Sequence, residues 1–179
     1  MIKIGIISDT HIFAIDDEAE ALLSFLARAF SKCDLIFHAG DIVSAEFIDE
    51  LSKILPVEAV SGNMDPCQTR AKYPPKKIIE VEGKIIGLIH GSGPPQDIRS
   101  RLYFAFTIKP DIIVYGHTHE PFKGYENGIY YLNPGSPNDR RFATVNSYAI
   151  LTVARRKLDA EIVKFNWEDV YKKIKKARA

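Results

Sequence analysis

Cysteine is nearly missing from this chain: Cys33 and Cys67 are the only two in 179 residues. Two cysteines build no disulfide framework, and no Cys-x-x-Cys pair offers a thiolate zinc site. Both are read as structural or incidental. An excess of one charge is also lacking. Lysine and arginine number 24 against 23 aspartate and glutamate, for a net charge of +1, which argues against a general binder of nucleic acid or membrane surfaces. No run approaches the ~20 apolar residues that a membrane-crossing helix needs. The N-terminal MIKIGIISDT lacks the charged start, long apolar stretch and small-residue cleavage site of a secretory leader. A cytoplasmic protein is therefore expected. Repeats, linkers and low-complexity stretches are missing as well. The 46% hydrophobic and 26% charged residues describe an ordinary globular chain. Its length suits one domain and is short for two. The expectation is a single domain over 1–179, ending in a basic helix over 167–179.

What is present reads as alternating strands and helices. Ile2–Ile7 is a β-branched run that ends at the polar turn Ser8-Asp9-Thr10. Residues 17–31 carry Ala21, Leu22, Phe25, Leu26 and Ala29 at helical spacing, with Asp16 and Asp17 placed for the N-terminus. Further strands are expected over 34–38 and 57–60, with a helix over 44–54 between them and Ser44 as its N-cap. The rhythm then changes to hairpins. Residues 77–81 and Lys84–Ile89 flank Glu82-Gly83, and 122–125 and 129–132 flank Glu126-Asn127-Gly128. A loop over 91–95, about a dozen helical residues from Gln96 and a buried strand over 111–115 lie between them. Strands over 147–153 and 158–165 form a last hairpin before the basic tail. The early alternation gives one sheet and the later hairpins a second. Packed face to face with helices outside, they predict a four-layer α/β/β/α sandwich with two mixed sheets.

The chemistry falls at strand ends. Of the five histidines, His11, His90, His117 and His119 come just after an apolar strand, as do Asp9, Asp41 and Asn63. Loops beyond the carboxyl ends of strands are where such sheets bind ligands. Taken singly, Asp9-x-His11, Gly40-Asp41, Gly62-Asn63, His90-Gly91 and Gly116-His117-Thr118-His119 are ordinary turn dipeptides and surface histidines. In order, at successive strand ends, they can deliver nitrogen and oxygen donors to one place. His38 lies inside its strand and reads as a buried, hydrogen-bonded histidine behind Asp41.

This set of motifs resembles the calcineurin-like metallophosphoesterase superfamily, and most closely its small single-domain prokaryotic and archaeal phosphodiesterases. Asn133-Pro134-Gly135-Ser136-Pro137 is similar to a segment that this group carries late in the chain, and the likeness runs from about Ile2 to Phe165. The resemblance implies a dinuclear centre. Asp9, His11, Asp41 and His119 would hold one divalent ion, and Asp41, Asn63, His90 and His117 the other, with Asp41 bridging. It also gives Asp9, Asp41, Asn63, His90, His117 and His119 catalytic roles around a metal-bridging hydroxide nucleophile, and Asn63 a share in substrate binding. Donors of this kind suit Mn²⁺, Fe, Ni²⁺, Zn²⁺ or Co²⁺ without choosing among them; two divalent ions are expected, with Mn²⁺ the favoured expectation.

Two positions depart from the pattern. Met64 stands where many members have a histidine that assists the leaving group, and Ser92 stands where near relatives have a second histidine after His90-Gly91. The expectation is a phosphodiesterase that favours acidic, aryl-type leaving groups. Arg99, Arg101, Arg140 and Arg141 are candidate phosphate contacts, since guanidinium matches phosphate geometry. A small phosphoester is the expected substrate, with no membrane partner and no nucleic acid beyond a nucleotide or dinucleotide. Homo-oligomers through the outer hairpins are compatible with this reading. Competing readings are a phosphomonoesterase, a nuclease component and a non-catalytic scaffold, the last because one eukaryotic retromer subunit shares the fold.

Overall fold

A computed structural model of the chain describes residues 1–155 and 157–178. The elements run β1 (Ile2–Ile7), α1 (Asp17–Ala29), β2 (Leu35–His38), α2 (Ala45–Ser52), β3 (Val57–Ala59), α3 (Cys67–Lys72), β4 (Lys76–Val81), β5 (Lys84–Ile89), α4 (Ile98–Tyr103), β6 (Ile112–Val114), β7 (Phe122–Glu126), β8 (Ile129–Asn133), β9 (Asn146–Ala154), β10 (Lys157–Phe165) and α5 (Trp167–Arg178). The C-terminal helix is thus followed as far as Arg178, and Ala179 lies outside the described residues.

Two five-stranded sheets form, in the orders β10-β9-β1-β2-β3 and β4-β5-β6-β8-β7. Each contains three adjacent parallel strands. In the first sheet β1, β2 and β3 are parallel, with Ile4 opposite Leu35 and Ile36 opposite Val57. In the second β5, β6 and β8 are parallel, with Ile86 opposite Ile112 and Ile112 opposite Tyr130. Parallel neighbours need crossovers, which α1 and α2 supply in the first sheet. Asp16 caps α1 by accepting from the N–H groups of Glu18 and Ala19, and Ala19, Leu22 and Leu26 form its buried stripe. Two of the antiparallel pairs, β4–β5 and β7–β8, close through tight turns. Glu82 and Gly83 have φ of 53° and 75°, and Asn127 and Gly128 of 51° and 76°, the paired positive values of a type I′ turn.

The layers follow from the burial. Ile4, Ile6, Phe37, Leu151 and Val153 of the first sheet pack with Ile86, Leu88, Val114 and Leu132 of the second. Residues of α1, α2 and α5, including Leu22, Phe47 and Trp167, cover the outer face of the first sheet. Ile98 and Leu102 of α4 cover the outer face of the second, against Ile113 and Tyr131. The architecture is the four-layer α/β/β/α sandwich expected from the element order.

Boundaries differ at the helices. Ser44 occupies the N-cap position of α2, but its side chain makes no capping hydrogen bond. The dozen helical residues expected from Gln96 shrink to six: Asp97 sits at φ 56° and the helix begins only beyond it, and it ends at Tyr103 with Phe104 as its C-cap. The six residues of α3 were not expected; a helix this short shows little periodicity. Both cysteines are free thiols, Cys33 buried and Cys67 exposed. Among the described residues no helix is long and apolar enough to cross a membrane.

Candidate metal centre

Because each sheet carries a parallel trio, carboxyl ends gather on one edge of each, and the two edges face a common cleft. The loop after β1 brings Asp9 and His11, that after β2 brings Asp41, and that after β3 brings Asn63. From the second sheet, His90 follows β5 directly, and the loop after β6 brings His117 and His119. These loops bend sharply. Asp9, His11, Asp41, His117 and His119 all have φ between 47° and 72°, a left-handed conformation that is strained for residues with a Cβ and gathers at functional sites. Asx-compatible aspartates tolerate it better than histidine does.

Two groups of donors result. Atoms of Asp9, His11 and His119 lie within 4.8 Å of one another, and so do atoms of Asp9, Asp41 and His90. His119 Nε2 is 3.3 Å from Asp9 Oδ1 and 3.4 Å from His11 Nε2. His90 Nε2 is 3.3 Å from Asp41 Oδ2 and 3.8 Å from Asp9 Oδ1. Asp41 Oδ2 also lies 3.7 Å from His11 Nε2, so this carboxylate spans both groups.

The tautomers are dictated from behind. His90 Nδ1 is 2.8 Å from the carbonyl oxygen of Ala39, which can only accept, so Nδ1 carries the proton. His119 Nδ1 donates to Asp139 Oδ2 at 2.5 Å by the same logic. Each ring in its neutral form is left with a lone pair on Nε2, aimed at carboxylate oxygens or at another imidazole nitrogen. Lone pairs do not attract lone pairs; a cation between them resolves the conflict. The Nε2 of His90 is buried and makes no hydrogen bond of its own. With no ion bound, a proton can take that role. Burial pushes His90 toward the neutral form, but the carboxylates of Asp41 and Asp9 outweigh it and raise the imidazole to about 9. Burial likewise disfavours the charged form of Asp41, yet His90 and the Met64 N–H hold its carboxyl below the usual range. Buried nitrogen and oxygen donors that converge without thiolate fit a divalent cation.

The loops are braced for this arrangement. Asp9 accepts from the His117 N–H at 3.1 Å through both oxygens, and Asp41 accepts from the Met64 N–H at 2.8 Å. The glycines before the candidate ligands make room. A Cβ at Gly62 would collide with Asp41 Oδ1, and one at Gly116 would come within 2.8 Å of Asp9 Oδ2. Asp65 accepts from the N–H groups of Val43 and Gly62 at 2.6 and 2.7 Å, tying the β2 and β3 loops together. The 133–137 segment gains a physical role. Asn133 donates to the Gly116 carbonyl and the Thr118 hydroxyl, and Ser136 donates to the Asp9 carbonyl at 2.8 Å.

The chain belongs to the calcineurin-like phosphoesterase superfamily. The superfamily's domain profile matches residues 2–156, a span that contains every donor described above. A probable metallophosphoesterase of Methanothermobacter thermautotrophicus is 39% identical over 162 residues, covering 90% of this chain and 91% of that protein. Among solved structures, one described as a novel archaeal phosphodiesterase superposes with a TM-score of 0.69 at 22% identity, over 90% of this chain and 100% of that one. Vps29 of Entamoeba histolytica complexed with Zn²⁺ superposes with a TM-score of 0.67 at 22% identity, over 92% of this chain and 100% of that one. At these identities the two structures carry the fold alone.

Within this superfamily domain, the seven candidate ligands are not equally placed. Asp9, His11, Asp41, His90 and His119 form the two groups. Asn63 and His117 stand beside them and bond to each other, Asn63 Oδ1 to His117 Nδ1 at 2.9 Å, while His117 Nε2 is 2.7 Å from the Gly93 carbonyl. His38 stays out of both groups. It is buried between the Gly40 N–H and the Thr10 hydroxyl, and burial lowers it to about 3.

The arginines need correction. Arg99 does not line the cleft; it pairs with Glu126 at 2.6 Å and lies 4.3 Å over the Phe122 ring. Arg101 is spent on the carbonyls of Ser92, Pro94 and Gln96. Arg140 lines the cleft but pairs with Glu18 and Glu168 at 3.1 and 2.9 Å. Arg141 lines it too, and its guanidinium pairs with no carboxylate among the described residues. Asp139 is the functional candidate that sequence reading missed. It also accepts from the backbone N–H groups of Arg141, Phe142 and Ala143; burial would raise its carboxyl, but the Arg141 and Ala143 N–H groups and His119 hold it below the usual range.

Proposed function

We propose that the chain is a metal-dependent phosphodiesterase built on a dinuclear centre. The observation that carries this reading is the convergence of imidazole nitrogens and carboxylate oxygens on one place, above all around the buried Nε2 of His90, 3.3 Å from Asp41 Oδ2. Asp9, His11 and His119 would hold one divalent ion. Asp41 and His90 would hold the other, with Asp9 and Asp41 spanning the two. Asn63 and His117 would complete the second site once His117 turns from the Gly93 carbonyl. Mn²⁺ is the first choice, and Ni²⁺, Zn²⁺, Fe and Co²⁺ fit the same donors. Bound, such a pair of ions supplies a water-derived nucleophile near neutral pH and neutralises charge on the phosphoryl oxygens.

The chain's own residues do the rest. His119 and His90 keep their Nε2 atoms aimed inward because Asp139 and Ala39 fix their Nδ1 protons. Arg141 supplies a free guanidinium for a phosphate oxygen. No serine or cysteine lines the cleft, the Thr10 hydroxyl is bonded to His38, and that of Thr118 to Asn133. With the aspartates and histidines assigned to the metal site, a covalent phosphoenzyme is not expected. Met64 lines the cleft with no titratable proton, so departure of a poor leaving group goes unassisted there and aryl diesters are favoured over alkyl ones.

Hydrolysis of bis-p-nitrophenyl phosphate tests the reading. Metal-stripped protein is given Mn²⁺, Ni²⁺ or Zn²⁺ beside a His90→Ala control. Metal-dependent turnover that collapses in the control supports it. Turnover confined to monoesters would make the chain a phosphomonoesterase. A folded, metal-loaded protein with no turnover would point to a scaffold.

A further inference from the structure

Large hydrophobic side chains are seldom left in water in a group. Phe13, Met64 and Phe142 are 80%, 60% and 65% exposed, and all three line the same cleft of about 730 Å³. Its floor is Asp9, His11, Asp41, His117 and His119. That volume exceeds what a bare phosphate needs and is of the size that holds a drug-sized ligand. The rim is physically continuous with the floor. The Phe142 ring stands edge-on to His119, with centroids 5.7 Å apart and planes at 86°. The Arg141 guanidinium, without a carboxylate partner among the described residues, lies 5.1 Å from the Phe142 centroid. Cation, ring and anion-handling floor thus follow one another across a few ångströms.

None of the three side chains contributes to a core, since each is mostly in solvent. Their placement around a polar floor suits an amphiphilic ligand, with an anionic group below and a flat apolar group above. Phenylalanine rings favour a planar partner, which they meet stacked or edge-on. Met64 is flexible and polarisable, and its thioether sits well against an aromatic edge. An alkyl chain would use the same apolar area but gain nothing from ring geometry or from the guanidinium beside it.

We propose that Phe13, Met64 and Phe142 form a substrate subsite for a planar aromatic group carried on the phosphoester, an aryl ring or a nucleobase. The subsite rests on the function proposed above only in taking the floor to hold the phosphoryl group. Its preference is exerted through binding, and so is separate from the effect of leaving-group acidity on turnover.

Calorimetric titration of metal-loaded protein with non-hydrolysable ligands tests it. The probes are methylphosphonate, phenylphosphonate and a nucleoside ester of methylphosphonate. The phenyl or the nucleoside compound, or both, should bind more tightly than methylphosphonate, and the pattern shows which ring the rim takes. Phe13→Ala and Phe142→Ala should each reduce that advantage by about 3–10-fold, the scale of a single aromatic contact. Equal binding of all three ligands overturns the proposal. So does an advantage that survives the double variant. Ring-dependent binding without hydrolysis of bis-p-nitrophenyl phosphate would sink the hydrolase reading and leave the subsite standing. Hydrolysis without ring-dependent binding would do the reverse, and failure of every phosphonate to bind together with no hydrolysis would remove both.

Discussion

An imidazole has two nitrogens, and what holds the first decides what the second offers. His38 accepts the Gly40 N–H on Nδ1 at 3.3 Å and meets the Thr10 hydroxyl with Nε2 at 2.9 Å. Both nitrogens are used, so no lone pair remains for a metal. That role was legible in the sequence, because His38 falls within a strand while the other four histidines follow one. His119 is the opposite case. Its Nδ1 proton goes to Asp139, and its Nε2 faces Asp9 and His11. Asp139 was not legible, because it meets His119 only after the chain passes through the β7–β8 hairpin, and an Asn-Asp pair in a loop reads as turn chemistry. A carboxylate behind a metal-bound histidine fixes the ring and raises its basicity. Asp139→Asn keeps an acceptor for the backbone N–H groups but gives up the charge. It should weaken metal binding by about 10–100-fold, read by competition against a chromogenic chelator. Unchanged affinity would mean that Asp139 only braces the 139–143 turn.

At the scale of elements, strands were easier to read than helices. The β1 and β5 runs and both type I′ hairpins came directly from β-branched residues and from Glu82-Gly83 and Asn127-Gly128. Helix α3 did not, because six residues give no amphipathic period, and α4 starts late because Asp97 is left-handed. The convergence of the candidate ligands was legible for a topological reason. When three parallel strands lie side by side, residues just past their ends become neighbours whatever their separation in sequence. What the sequence does not display is how tightly those loops approach one another. Gly62 is the sharpest example, since a methyl group there would strike the Asp41 carboxylate and come within 2.5 Å of its backbone nitrogen. The Gly-Asn dipeptide therefore reflects a shortage of space as well as turn propensity. Gly62→Ala should cost about 1–3 kcal/mol of stability, as overpacking does. It should also lower metal content out of proportion, because the atom displaced belongs to a donor. Thermal unfolding of the metal-free variant measures the first effect, and metal analysis of protein folded at low temperature the second. Wild-type metal content would show that Asp41 is dispensable.

For the molecule as a whole, the donor groups draw on both sheets: Asp9, His11 and Asp41 from one, His90 and His119 from the other. Without metal, the junction is held partly by a proton on His90. Its folded pKa of about 9 lies above the ordinary 6.5, so this contribution is complete below pH 6.5 and fades as pH rises through 9. His38 works in the other direction. Its folded pKa of about 3 lies below the ordinary value, so its contribution is present above pH 6.5 and is lost as pH falls toward 3. Metal-free protein should therefore be most stable near pH 6.5–7 and less so on either side. On the proposed function a divalent ion would replace the His90 proton, and the exchange would become easier as that proton becomes harder to keep. Metal at about 100 times its Kd stabilises by roughly 2.7 kcal/mol, or about 5–10 °C in a chain of this length. The increment should grow between pH 6.5 and 9, so the alkaline decline of the metal-free protein should vanish on loading. Unfolding curves with Mn²⁺ and with chelator across this range provide the check. In His90→Ala the metal-free alkaline slope should be gone. A metal increment that stays flat with pH would mean the ion does not displace this proton, and would move the binding site away from His90.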